Sequence, residues 1–126
     1  MEIYNVCPVP APRMTQADKW AKRPPVLRYF AFREEVRLNK IKIPEYGAHI
    51  IFVMPMPNGW SQKKKNSLRG QAHQQKPDVD NLGKALMDAI FDNDCAVWDV
   101  RLTKIWGDKG EIRIRSEEEN YGEEEE

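Results

Sequence analysis

The chain has 126 residues, with 20 basic and 20 acidic side chains, nine prolines and two cysteines. That length suits a single domain with one core, small enough for a partner subunit to complete it. No apolar run nears the roughly 20 residues of a membrane span, and residues 1–6 lack the basic-then-apolar pattern of a secretory signal, so a cytoplasmic protein with no membrane partner is expected.

The zero net charge conceals an asymmetry. Residues 117–126 carry seven glutamates and no lysine or arginine, which leaves 20 basic against 13 acidic side chains in residues 1–116. The expected organisation is a folded domain over 1–116 and an acidic, disordered tail over 117–126. A basic body suits a polyanion such as nucleic acid, and the tail is either a solvated end or a competitor for the same surface. Cys7 and Cys95 form no Cys-x-x-Cys pair, and His49 and His73 stand alone, so neither a zinc knuckle nor a disulfide framework is indicated and ordinary reduced thiols are expected. Any metal here is expected to be an oxygen-loving one.

In chain order, residues 3–6 alternate weakly as a first strand. Three prolines at positions 8, 10 and 12 then give an extended segment that ends in Arg13. Residues 26–38 fit an amphipathic helix with Val26, Tyr29, Phe30, Val36 and Leu38 on its apolar side, and its basic side is expected to face solvent. Residues 47–55 read as the strongest strand, bounded by Gly47 and Pro55. Residues 55–77 contain no acidic side chain and read as a long loop, whose Lys63, Lys64, Lys65 and Arg69, with Lys76, would neutralise phosphates. After a helix over about 79–91, residues 97–106 alternate as a long strand, with Trp98, Val100, Leu102 and Lys104 on one face. A turn at 107–110 and a further alternating strand at 111–115 suggest a terminal hairpin. The elements together make an α+β domain, a small mixed β-sheet packed against two helices.

Chemistry concentrates in residues 76–94. Asp78 is placed as the N-cap of the helix, whose apolar stripe is Leu82, Ala85, Leu86, Ala89 and Ile90. On spacing alone, Asp80, Lys84 and Asp88 form a surface ladder of ion pairs, and Asp78 and Asp80 serve only as cap and dipole partner. The alternative is a metal site. Aspartates at i and i+2 around a helix start can aim both carboxylates at one point, and Asp94 would supply a third. An all-oxygen set of that kind suits Mg²⁺, with Mn²⁺ as an alternative, and such carboxylates converge mainly around a cation. Lys84 would stabilise charge building on a phosphate.

At residues 76–89 the run Lys-Pro-Asp-Val-Asp-Asn-Leu-Gly-Lys-Ala-Leu-Met-Asp-Ala resembles the signature of the RusA family of Holliday-junction resolvases, small endodeoxyribonucleases frequent in bacteriophages and prophages. The similarity extends to the Pro-rich segment ending in Arg13, the strand leading to Pro-x-Pro and Trp60-Ser61, the lysine-rich stretch, and the strand ending in residues 104–107. It implies that Asp78 and Asp80 are catalytic metal ligands and Lys84 the essential lysine. For the third aspartate the family usually shows Asp-Asp-Ser-Gln-Val, where this chain has Asn93-Asp94-Cys95-Ala96-Val97. Asp94 is the choice there, Asp92 its competitor and Asp99 a weaker candidate. The resemblance further implies a homodimer that binds a four-way DNA junction and makes paired, Mg²⁺-dependent nicks without a small-molecule cofactor. The competing reading is a non-catalytic branched-DNA-binding module, in which Lys63, Lys64, Lys65 and Arg69 carry the affinity.

Overall fold

A computed structural model describes residues 1–12, 23–91 and 96–117. Arg13, Asp92, Asp94 and Cys95 lie outside the described residues, as does the acidic tail beyond Glu117. Glu117 itself packs its side chain over Gly47.

The described elements, in order, are β1 (Glu2–Tyr4), α1 (Pro24–Leu38), β2 (Ala48–Pro55), α2 (Gln62–Leu68), α3 (Val79–Ile90), β3 (Val100–Gly107) and β4 (Glu111–Arg115). Among the described residues the strands form one mixed sheet in the order β1-β4-β2-β3. β2 runs parallel to β3, with Ala48 opposite Val100 and Pro55 opposite Gly107, and antiparallel to β4, with Ile50 opposite Ile114. The expected hairpin is therefore absent: β3 and β4 are joined by a short turn but lie on opposite sides of β2. β2 is the most apolar segment of the chain and is buried from Ala48 to Met54, so it takes the central position and separates them.

α1 begins with two prolines at its first positions, where a missing N–H costs nothing. Its buried side is Val26, Tyr29, Phe32 and Val36, while Leu38 is 79% exposed, so the packed face is rotated from the expected one. It closes in a Schellman motif: Ile41 N–H donates to the Val36 carbonyl (3.2 Å), Lys40 N–H donates to the Arg37 carbonyl (3.1 Å), and Lys40 takes a left-handed φ of 53°. Buried Ile41 and Val36 supply the apolar contact that accompanies this motif.

α1 and α3 pack against each other and on one face of the sheet, around Ile50, Phe52, Met54 and Ile112. α3 can approach β3 closely because residue 83 is glycine; a Cβ there would stand 2.6 Å from Leu102 Cδ1. No helix of the described residues is long and apolar enough to cross a membrane.

The expected long loop is not one. Residues 62–68 form α2, capped by the Ser61 hydroxyl, which accepts from Lys64 N–H at 3.2 Å. Residues 70–73 then pair with the free edge of β3: Gly70 N–H donates to the Trp106 carbonyl (2.8 Å), Trp106 N–H to Gln71 (2.9 Å) and His73 N–H to Lys104 (3.1 Å). Trp60, Trp106 and His73 pack in series as tilted rings, with centroids 4.8 and 4.2 Å apart, and Lys64 Nζ lies 4.1 Å over the Trp60 ring. The segment thus covers an edge that would otherwise offer unpaired backbone groups.

Candidate active site

Asp78 and Asp80 stand at the start of α3, and three contacts fix that start. Lys104, on the core-facing side of β3, extends its ammonium out to the Gln75 and Pro77 carbonyls, 2.6 Å from each. Asn81 Nδ2 donates to the Ala11 carbonyl at 3.1 Å, which docks the Pro-rich segment against the helix. Gly83 against Leu102 sets the distance to the sheet. Pro10, Ala11, Lys76, Pro77, Asp78 and Asn81 consequently line one recess of about 500 Å³.

Asp78 occupies the N-cap position with extended backbone (φ −67°, ψ 143°), yet its side chain makes no capping hydrogen bond. This departs from the cap reading. A capping aspartate contributes about 1 kcal/mol, and here that contribution is unused. Asp80, in the first turn, is exposed, and neither carboxylate has a hydrogen bond or ion pair among the described residues. The i,i+4 ladder is realised only in its second half, where Lys84 Nζ lies 3.5 Å from Asp88 Oδ2. Asp80 is left out of it. Two acceptor-only groups two residues apart, both exposed and unspent on the fold, with Asp78 lining the recess, are a donor set that fits a hard divalent cation. Among the described residues no group of three or more His, Cys, Asp or Glu side chains gathers for a metal. The expected third ligand, Asp94, is outside them; Phe91, the last described residue before it, sits at the far end of α3, about 18 Å along the axis. Asp99 is committed elsewhere, since its carboxylate accepts from Gly47 N–H at 3.2 Å at the start of β3.

The expected phosphate contacts fall into different environments. Lys63 projects from α2 into solvent, Lys64 covers Trp60, Lys65 is half-buried beside Asp108, and Lys76 lines the recess next to Asp78. Arg69 is engaged by the Asp108 carboxylate, with Nε 2.9 Å and a terminal nitrogen 2.9 Å from its oxygens. That pairing holds the Asp108 carboxyl below the usual carboxylate range. Arg69 is therefore a poorer phosphate ligand than the lysines before it. Arg13 follows directly on the docked Pro-rich segment but is itself outside the described residues.

Sequence reading missed the roles of Lys104 and Asn81 in fixing this site. The signal for Lys104 was a lysine falling on the apolar face of an alternating strand; Asn81 gave none.

The fold and site define a small α+β protein that presents paired carboxylates beside basic groups, an arrangement suited to hydrolysing phosphodiesters. A protein-family model, Endodeoxyribonuclease RusA, matches residues 29–117, and the chain belongs to that family. It is thus an endodeoxyribonuclease, of a family whose work is resolution of Holliday junctions in recombination. No curated protein and no solved structure matches the chain.

Proposed function

We propose that this enzyme resolves four-way DNA junctions as a homodimer, in the cytoplasm where its DNA lies, by paired hydrolytic nicks that depend on Mg²⁺ or Mn²⁺. The observation that carries the reading is the Asp78 carboxylate, which stands at an N-cap position without capping, next to an equally unpaired Asp80.

Asp78 and Asp80 would hold the cation, with Asp94 as the third carboxylate. When bound, the cation supplies Lewis-acid polarisation of the phosphodiester and a nucleophilic water at neutral pH. The chain's own residues do the rest. Lys104 and Asn81 fix the start of α3, and with it the backbone that carries the two aspartates, so that little reorganisation accompanies attack. Lys84 projects from the next turn of α3, 64% exposed, and its ammonium can leave Asp88 to share the charge that builds on the phosphate. Lys76, at the lip of the recess, and Lys63, Lys64 and Lys65 on α2 contact the phosphates of the bound strands, with Arg13 and Arg69 in supporting positions. Cleavage leaves 5′-phosphate and 3′-hydroxyl ends. In a homodimer, two-fold symmetry sets one such site against each of two opposed strands, so paired nicks follow from one geometry. The sheet face turned away from α1 and α3, where Ile3 is 53% exposed, offers the second copy a surface.

The test is incubation of the purified protein with labelled four-way junction and with linear duplex, in Mg²⁺ and in chelator. Symmetric nicks in the junction alone, and only with the cation, are the expected result. Junction binding without nicking in either Mg²⁺ or Mn²⁺ would leave the binding-module reading standing instead.

A further inference from the structure

The end of α1 carries a cationic surface that the proposed chemistry does not use. Residues 40–43 alternate Lys-Ile-Lys-Ile; Ile41 and Ile43 are 4% and 7% exposed and anchor the segment in the core, while Lys40 and Lys42 face out. They flank an open recess of about 550 Å³ floored by Val36, Ile41 and Ile90 at the C-terminal end of α3. Arg37 lines the same recess, and its Nε donates to the Ala89 carbonyl at 3.3 Å, which closes α3. Lys40 and Lys42 have no side-chain hydrogen bond or ion pair among the described residues.

Two further observations point outward from the fold. Lys40 holds the left-handed position of the Schellman motif (φ 53°), where glycine or asparagine is the less strained choice, so this lysine is not there for the backbone. The recess also lies among further basic groups. The Arg33 guanidinium, on α1, stands 5.8 Å over the Tyr29 ring, and Lys84, on α3, is paired with Asp88 at 3.5 Å. Lys40 and Lys42 are at the C-terminal end of α3, and Asp78 and Asp80 are at its N-terminal end. Twelve helical residues span about 18 Å, close to five nucleotides of a DNA strand at about 3.4 Å each.

We propose that Lys40 and Lys42 form a second phosphate-backbone contact, which grips a duplex arm of the DNA about five nucleotides from the phosphodiester held at Asp78 and Asp80. The proposal rests on the reading of those aspartates as the cleavage site and adds the path of the DNA away from it.

The experiment uses the full chain with Lys40→Gly/Lys42→Gln and with Lys42→Gln alone. Glycine suits the left-handed position, so the double variant should melt no lower than wild type. Junction affinity should fall, and the slope of log affinity against log salt should become shallower by about 0.9 for each phosphate that the variant no longer neutralises, hence by about twice that in the double variant. Hydroxyl-radical footprinting on the junction should lose protection about five nucleotides from the nick and keep it at the nick. An unchanged slope and footprint in both variants, with wild type nicking normally, would overturn this role for the two lysines and leave the cleavage reading intact. A wild-type protein that neither binds nor nicks the junction would sink both.

Discussion

Asp78→Ser separates folding from chemistry at the central position. A serine at an N-cap can bond the helix it precedes, as Ser61 does for α2 at 3.2 Å, and such a bond contributes about 0.5–2 kcal/mol. Asp78 makes no such bond, so nothing of that size is lost on substitution. What goes is its charge next to the helix dipole, about 0.3–1 kcal/mol, against which a new serine cap would act. The net change in stability is expected within about 1 kcal/mol of zero, a few degrees in Tm at most. Nicking of a labelled junction in Mg²⁺ should fall by more than about a hundredfold, since even groups that merely orient metal ligands are worth about 10–100-fold. Ser61→Ala is the matched control, expected to cost about 1 kcal/mol through a cap that is in use. If Asp78→Ser melts well below wild type and still nicks at the wild-type rate, Asp78 is a structural cap and not a metal ligand.

Lys104→Met removes two charge-assisted bonds to the Gln75 and Pro77 carbonyls, and should cost about 2 kcal/mol by thermal unfolding while lowering kcat by loosening the start of α3; an unchanged Tm would mean the clamp is idle. His73 is buried against Trp106, and burial, followed by the Lys104 charge, lowers its pKa from 6.5. The unfolded chain therefore takes up the proton first, and the stability is present above pH 6.5 and is lost as the pH falls below it. His73→Phe keeps a ring on Trp106 and should flatten that acid limb of Tm against pH; a parallel limb in the variant would refute the assignment. Asp94→Asn should abolish nicking while Asp92→Asn leaves it, measured on the same junction, and the reverse result would transfer the third carboxylate to Asp92.

What was legible in the sequence was what local pattern encodes. α1, β2 and α3 follow from apolar periodicity and Pro boundaries, and the placing of Asp78, Asp80 and Lys84 around the start of α3 follows from the same pattern. α2 escaped because it buries no side chain: with no apolar stripe, its local signal was the Ser61 cap. The pairing of β3 and β4 was misread because a short turn favours a hairpin only when no better partner exists, and β2 competes for both strands. That competition is non-local, and one sequence does not display it. Lys104 illustrates the same limit. Its position on an apolar face was visible, but its acceptors, the Gln75 and Pro77 carbonyls, depend on how residues 70–77 fold back along β3.

The most direct test of the central claim is cleavage of a synthetic four-way junction in Mg²⁺ by the Asp80→Asn protein beside wild type, with binding measured in parallel. Asp80→Asn is expected to bind the junction at least as tightly as wild type, since a negative charge facing phosphates is gone, and to make no nicks. Nicking by that variant at the wild-type rate would contradict the assignment of Asp80 as a metal ligand and, with it, the cleavage mechanism.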